Sequence, residues 1–319
     1  MKRSLAALCA LVPLVAVSAC GSSSSDANGD TAAGADQLAV TTSFYPLQYA
    51  LDRIGGEHVK VTNLTGPGVE PHDLELTPKA IGGLQESKLV VYLSGFQPAV
   101  DDAVKNITTA KFDVADAAHL EAATQDDGHD HGGDTHAGEE HANEAAANDP
   151  HFWLDPTRYA DVADAMAKEL AKVDPGNADT YTANATALKT DLKTLDTEYR
   201  TGLKSCKQKD LVTSHAAFGY LAEAYGFHQV GISGLSPDTE PTAKQLADAV
   251  THIKEAGAST VYAETLLPKD TAETVAKEAG AQVKVLDPIE GITNESAGTD
   301  YLEVMRSNLS TLKAGQECG

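Results

Sequence analysis

Three histidines in this chain stand in sequence contexts that suit metal coordination. His72 lies in GVEPHD, His151 in DPHFWLDP and His215 in VTSHAAFG. Each follows a predicted strand or a proline-stiffened turn, and in open α/β sheets the loops beyond the carboxyl ends of the strands bind ligands. Neutral imidazoles suit a borderline divalent ion such as Zn²⁺. Together they predict a metal site, although any one such histidine is more often a hydrogen-bonded structural residue.

Carboxylates at similar positions could complete the site. Asp287 follows the predicted strand 282–286, and Glu264 follows the predicted strand 260–263. The sequence has no C-x-x-C or H-E-x-x-H motif. A hydrolytic zinc enzyme would need an open coordination position and a nearby general base. The alternative to a binding protein is a secreted metallohydrolase, which would use Glu264 or Glu70 as this general base.

Residues 121–149 form a second, different histidine-containing segment. The segment is rich in carboxylates and has no apolar period. This composition predicts a mobile loop that binds metal weakly and exchangeably. Its four histidines are His129, His131, His136 and His141.

The start of the chain predicts export. Two basic residues precede an apolar run, 5–17, that ends in Ser-Ala-Cys-Gly, which is the layout of a signal peptide over residues 1–19. The run is shorter than the roughly 20 apolar residues of a membrane span. The residues before Cys20 resemble the lipobox of bacterial lipoproteins, which implies that Cys20 carries lipid; an ordinary secretion signal is the alternative. Small polar residues at 20–36 predict a flexible tether.

Charge and cysteine content narrow the possible partners. The chain has 24 basic and 47 acidic residues and a formal net charge of −23. Such a surface disfavours nucleic acid and anionic headgroups and is compatible with a cationic ligand. Two of the four cysteines lie in the export signal. The remaining pair, Cys206 and Cys318, predicts one disulfide in an oxidising compartment.

The rest of the chain alternates short apolar runs with helical patterns. We predict two α/β lobes, 37–175 and 206–319, each with a mostly parallel sheet flanked by helices. The predicted strands are 38–42, 58–64, 88–93, 210–214, 229–233, 260–263 and 282–286. The predicted helices are 45–54, 78–86, 98–107, 217–225, 241–256, 269–279 and 299–313.

The stretch between the lobes contains only helical signals. Pro175-Gly176 divides residues 156–205, and apolar residues then recur every three or four positions from 177 to 204. That period predicts one helix of about 40 Å. The ordinary interpretation is a core helix of one lobe, and the alternative is a rigid helix that joins both lobes.

Six motifs in order resemble one known family. They are TSFYPL at 42–47, EPHD at 70–73, DPHFWLDP at 149–156, TSHAAFGY at 213–220, LSPDTEP at 235–241 and VLDPIEG at 285–291. Over residues 39–312 the chain resembles the substrate-binding lipoproteins of zinc and manganese ABC transporters, the cluster 9 solute-binding proteins. The resemblance implies two α/β lobes, one long linking helix (176–205) and a metal in the cleft between the lobes.

The resemblance also implies a ligand set. His72 and His151 would come from the first lobe, His215 from the second, and Asp287 would take the fourth position, with Glu70 or water as alternatives. Manganese members have a carboxylate at the position matching His215, and an imidazole there favours zinc. The acidic histidine loop is likewise similar to that of zinc members.

The expected function is that of a receptor and not of an enzyme. The resemblance implies a lipid-anchored monomer on the outer face of the cytoplasmic membrane that binds Zn²⁺ as cargo and delivers it to the membrane permease of an ABC importer. The alternatives are a manganese receptor of the same family, the metallohydrolase, and an adhesin. An adhesin would bind a host ligand even after its metal is removed.

Overall fold

The structure is a computed structural model that describes residues 37–123, 147–237 and 240–319. The predicted signal peptide and tether lie outside these ranges and remain predictions. So do Cys20 and the loop histidines His129, His131, His136 and His141. Among the described residues, none of the helices has the length and apolarity that a bilayer crossing requires.

The first lobe is a four-stranded parallel sheet with helices after its strands. Its strands are β1 (Leu38–Thr42), β2 (Val59–Asn63), β3 (Leu89–Tyr92) and β4 (Ala110–Asp113), in the order β2-β1-β3-β4. Its helices are α1 (Tyr45–Gly55), α2 (Pro78–Glu86), α3 (Pro98–Val104) and α4 (Ala115–Ala118). The carboxyl ends of β1, β2 and β3 lie at one edge, because Thr42 pairs with both Asn63 and Val91.

Two helices follow the first lobe. They are α5 (Pro156–Val173) and α6 (Ala178–Leu203), separated by a short 3₁₀ turn at Pro175–Asn177. The buried side of α6 consists of the residues whose spacing predicted the helix: Tyr181, Ala185, Leu188, Leu192, Leu195, Tyr199 and Leu203.

The second lobe repeats the topology of the first. Its strands are β5 (Asp210–Thr213), β6 (His228–Gly231), β7 (Thr260–Ala263) and β8 (Gln282–Val285), all parallel, in the order β6-β5-β7-β8. Its helices are α7 (Gly219–Tyr225), α8 (Ala243–Ala256), α9 (Asp270–Ala279) and α10 (Tyr301–Gly315). The predicted α/β class with two parallel sheets is confirmed.

Helix α6 joins the two lobes. It packs on α1 and α5 on one side and on α7 and α10 on the other. One continuous apolar core therefore includes Leu47 of α1, Leu188 of α6 and Met305 of α10. The hypothesis of a linking helix is confirmed, and the same helix also serves as a core helix.

Local sequence signals explain where the helices begin. Prolines lie in the first turn of α1, α2, α3 and α5, where a missing N–H costs nothing. The Asp155 side chain accepts a hydrogen bond from the Thr157 N–H at the start of α5. Thr242 and Gln245 form a reciprocal capping box at the start of α8.

The C-terminus is fastened by the predicted disulfide. Cys206, just after α6, is bonded to Cys318, and the two are 112 residues apart in sequence. In the chain-entropy description, a cross-link that closes a loop of this length stabilises the fold by about 4–5 kcal/mol.

The sequence missed one strand. β4 pairs with β3 at the edge of the first sheet, and its four residues, AKFD, are exposed or only partly buried. Such an edge strand lacks the apolar run that a buried strand shows. Several other predicted boundaries shift by a few residues; for example, the helix predicted at 98–107 ends at Val104, and the linking helix begins at Ala178.

Candidate metal centre

His72 lies in the segment between β2 and α2. The Glu70 carboxylate fixes the backbone there, because its Oε2 accepts hydrogen bonds from the N–H groups of His72 at 2.8 Å and Asp73 at 3.3 Å. The ring of Phe96 contacts the imidazole edge-on, with 4.7 Å between the centroids. The buried side chain of Gln97 donates a hydrogen bond from Nε2 to the carbonyl of Pro71, the residue before His72. The His72 ring is thus oriented by packing and by the backbone.

His151 follows a proline in the connection from the first lobe to α5. Oδ1 of Asp149 accepts hydrogen bonds from the His151 backbone N–H at 2.9 Å and from its Nδ1 at 2.7 Å. The Asp149 carboxylate lies against Gly219 of α7, where a Cβ would come within 2.6 Å of its Oδ2. Since Nδ1 donates to the carboxylate, the lone pair of Nε2 points away from it.

His215 follows β5 and has a matching support from β7. The Glu264 carboxylate accepts the His215 backbone N–H at 3.0 Å through Oε1 and the His215 Nδ1 at 2.7 Å through Oε2. Both side chains are buried. The hydrogen bond again selects the tautomer whose Nε2 is free to coordinate a metal.

The three histidines meet at one carboxylate, that of Glu290. Glu290 Oε1 is 3.2 Å from Nε2 of His151 and 3.4 Å from Nε2 of both His72 and His215. The Nε2 atoms of His151 and His215 are 3.4 Å apart. These four side chains are 0% to 7% exposed. In the described part of the chain, they are the only group of three or more His, Cys, Asp or Glu residues whose possible ligand atoms all lie within 4.8 Å of one another.

The spacing of these atoms matches a tetrahedral ion. Zinc–nitrogen and zinc–oxygen bonds of about 2.0–2.1 Å place neighbouring ligand atoms about 3.3–3.4 Å apart in a tetrahedron. Four of the six separations, namely those from Glu290 Oε1 to each Nε2 and the one between Nε2 of His151 and Nε2 of His215, are 3.2 to 3.4 Å and fall at that value. Nε2 of His72 is also buried and makes no hydrogen bond of acceptable geometry, a costly state unless the atom binds something. The donor set therefore fits a divalent cation.

Charge within the centre is balanced around Glu290. Burial opposes a charged imidazole at His151, but the hydrogen bonds and charges of Asp149 and Glu290 outweigh it and raise its pKa. Burial is likewise outweighed at His215, where Glu264 and Glu290 raise the pKa well above its ordinary value. Burial alone would raise the pKa of Glu290, yet the imidazoles hold that pKa well below its ordinary value. The centre is thus built for positive charge.

The carboxylate that lies among the three imidazoles differs from the one that the sequence predicted. Asp287, the expected fourth ligand, lies outside the cluster, and its carboxylate accepts hydrogen bonds from the Ile289 N–H and the Thr265 hydroxyl, both at 2.8 Å. Glu290, three residues further along, takes that place. Of the alternatives, Glu70 holds the backbone of His72, and Glu264 lies behind His215. The signal that could have found Glu290 is the second carboxylate in VLDPIEG, the same motif that contains Asp287.

Comparison with known proteins identifies the family. The profile of the ZnuA family, described as "Zinc-uptake complex component A periplasmic", matches residues 40–315. The chain belongs to the ZnuA family. This places the cleft histidines in a family whose description concerns zinc uptake.

Relatives with assigned names agree with the profile. The zinc-binding protein AdcA of Streptococcus pyogenes serotype M3 is 37% identical over 286 residues, which cover 87% of this chain and 56% of AdcA. The chain therefore spans little more than half the length of AdcA. The high-affinity zinc uptake system protein ZnuA of Bacillus subtilis is 37% identical over 300 residues and is covered to 92%.

A solved structure shows the same fold. The Zn(II)-bound ZnuA-like domain of Streptococcus pneumoniae AdcA superposes with a TM-score of 0.70 at 33% identity, and the match covers 88% of this chain and 99% of that domain. This ZnuA-family chain is thus similar in fold to a domain whose structure contains zinc.

Proposed function

We propose that this chain is an extracytoplasmic receptor that binds Zn²⁺ in the cleft between its lobes and delivers it to an ABC importer. The observation that carries the proposal is the convergence of three imidazole Nε2 atoms on Glu290 Oε1 at 3.2 to 3.4 Å. Relatives named for zinc binding and zinc uptake support the choice of cargo.

The ligands of the cargo ion are His72, His151, His215 and Glu290. Three imidazoles and one carboxylate form a closed tetrahedral set for zinc, with no position left for a bound water. A manganese receptor would favour more oxygen ligands, since Mn²⁺ prefers carboxylate, carbonyl and water. The imidazole of His215 therefore favours zinc over manganese.

Binding without catalysis follows from the way the carboxylates are used. Asp149 and Glu264 each hold an imidazole, and Glu290 faces the ion. A hydrolytic zinc site needs a bound water and a base beside it. The receptor therefore captures and releases the ion without chemical turnover.

Metal analysis tests the proposal directly. Protein purified without chelator should contain one Zn²⁺ per chain in the cleft, and Zn²⁺ should displace Mn²⁺ in competition. Deletion of residues 124–146 should remove only weak sites and leave the tight site intact. Loss of tight binding on that deletion, or preferential retention of Mn²⁺, would overturn the proposal.

The cellular arrangement is part of the same proposal. Cys20 carries a lipid anchor that keeps the receptor on the outer face of the membrane, as a monomer beside its permease. Cys20→Ala should release the protein from membranes without changing its zinc affinity. Continued membrane association of that variant would exclude Cys20 as the anchor.

Adhesion is distinguished by a simple experiment. Binding to host extracellular matrix that survives complete removal of zinc would support an adhesin in place of a receptor. Growth that depends on this protein only when zinc is scarce would support the receptor.

A further inference from the structure

Glu290 stands at the end of a tightly held turn. Within that turn the Asp287 carboxylate accepts the Ile289 N–H, and Ile289 has a φ of 60°, a left-handed conformation that is unusual for a β-branched residue. Such a conformation persists only when its surroundings enforce it. The direction of the Glu290 side chain is therefore set by what holds residues 287–289.

The second lobe holds one end of the turn. Asn308 of α10 is buried, its Oδ1 accepts the Asp287 N–H at 3.0 Å, and its Nδ2 donates to the Asp287 carbonyl at 2.7 Å. One side chain thus satisfies both backbone groups of Asp287. Because Asn308 and Asp287 belong to the same lobe, this support does not depend on the other lobe.

The first lobe holds the middle of the turn. The buried indole of Trp153 donates from Nε1 to the Pro288 carbonyl at 2.7 Å. Trp153 lies two residues after His151, and Pro288 lies two residues before Glu290. This hydrogen bond therefore joins the segment that carries one imidazole to the segment that carries the carboxylate, across the boundary between the lobes.

We propose that Trp153 is a positioning residue that sets Glu290 against the three imidazoles when the two lobes meet. The inference rests on the proposed zinc site and deepens it. The indole N–H fixes the Pro288 carbonyl, the turn transmits that position to Glu290, and the ligand set becomes complete only with the lobes together. Trp153 acts through Glu290 and does not touch the ion.

The packing of Trp153 has to be separated from its hydrogen bond. Its ring contacts Phe44, Phe96 and the His151 imidazole with centroids 5.1, 5.8 and 5.3 Å away, so any replacement also disturbs the core and the packing of one ligand. A double-mutant cycle with Glu290 makes the separation, because only an effect that passes through Glu290 disappears when its carboxylate is removed.

The test measures zinc affinity of the full chain by competition with a fluorescent chelator. Trp153→Phe should lower the affinity about 10- to 100-fold, the range for partners that orient a ligand. In a Glu290→Gln background the same change should cost less than about 3-fold. Tyr199→Phe is the matched control, because it removes a buried hydrogen bond to the Met305 carbonyl that involves neither a ligand nor residues 287–289, and it should leave the affinity unchanged.

The outcomes of the cycle are distinct. An equal loss from Trp153→Phe in both backgrounds would reduce Trp153 to a packing residue and overturn the inference, while the zinc site would stand. If Glu290→Gln alone left zinc affinity unchanged, Glu290 would not be a ligand, and both the inference and the proposed ligand set would fall. Loss of affinity in Tyr199→Phe would show that the assay reports general destabilisation and would also overturn the inference.

A spectroscopic readout follows from the composition. Trp153 is the single tryptophan of the chain, so its indole N–H gives one signal in a nitrogen–proton correlation NMR spectrum. We expect zinc to shift that signal and to slow its exchange with solvent, because an ion bound by Glu290 would hold the turn, and with it the Pro288 carbonyl, against the indole. Glu290→Gln should weaken the zinc-induced change. An indole signal that is equally protected with and without zinc would contradict a contact that depends on the meeting of the lobes.

Discussion

The three imidazoles of the centre are held in two different ways. His151 and His215 each donate Nδ1 to a buried carboxylate at 2.7 Å, and the same carboxylate also accepts the backbone N–H of its histidine. His72 instead has a backbone fixed by Glu70 and a ring that packs on Phe96. Two ligands are thus oriented by charge and hydrogen bonding, and the third by packing on a loop without regular structure.

This difference teaches which part of the site is preorganised. A carboxylate behind a histidine fixes its tautomer and raises its basicity as a ligand. The rings of His151 and His215 are therefore already oriented for coordination before the ion arrives. The described contacts of His72 are a Glu70 carboxylate on its backbone and the ring of Phe96 on its imidazole, so its contribution depends more on the fit of the surrounding rings.

The largest effect should come from removing any imidazole. His72→Ala, His151→Ala and His215→Ala should each lower zinc affinity by at least about 100-fold, since each removes a coordinate bond and not merely its support. Titration of the loop-deleted protein against a chelator would measure this. Unchanged affinity in any one of the three would remove that residue from the ligand set.

The next effect tests the comparison itself. Asp149→Asn and Glu264→Gln should each lower zinc affinity about 10- to 100-fold, or roughly 1.4 to 2.7 kcal/mol, because the imidazole loses its charged partner. Phe96→Leu, which alters the packing beside His72, should cost less than about 10-fold. If Phe96→Leu cost more than either carboxylate change, the assignment of two modes of support would be reversed.

The response to pH should be intermediate in size. The raised pKa values of His151 and His215 mean that the metal-free site keeps protons above the ordinary histidine value of about 6.5, and zinc must displace them. Zinc affinity should therefore begin to fall already above that pH and drop at least about 10-fold by pH 5.5. Calorimetry on the loop-deleted protein avoids titration of the loop histidines.

The stability of the metal-free protein should change in the opposite direction. A histidine with a raised pKa in the folded state contributes stability that is present at low pH and lost as pH rises through that pKa. Thermal unfolding without zinc should thus occur at a lower temperature at pH 8 than at pH 6.5. Affinity and metal-free stability that both rise between these pH values would contradict the charge balance around Glu290.

The smallest effect is expected at Asp287. Asp287→Asn keeps an acceptor for the Ile289 N–H, so zinc affinity should change by less than about 3-fold. Glu290→Ala in the same assay should cost much more, because it removes a ligand. Equal losses in the two variants would restore Asp287 to the ligand set.

The sequence supplied the imidazoles but not the carboxylate. His215 could be predicted because it lies just beyond a strand end, where side chains of parallel sheets converge. Glu290 lies in the same motif as Asp287, and the sequence could not decide between the two carboxylates, because the turn between β8 and Glu290 depends on the conformation of Ile289 and on a hydrogen bond from Trp153, both of which arise only in the folded chain. The edge strand β4 was missed for a related reason, since its pairing with β3 compensates for a weak apolar pattern.

The most direct test of the zinc site is an anomalous difference map from crystals of the zinc-loaded protein, collected on either side of the zinc absorption edge. The map should show one strong peak within about 2.0–2.2 Å of Nε2 of His72, His151 and His215 and of a Glu290 oxygen. A peak bound by Asp287 and lacking Glu290, or no peak between the three imidazoles, would contradict the account.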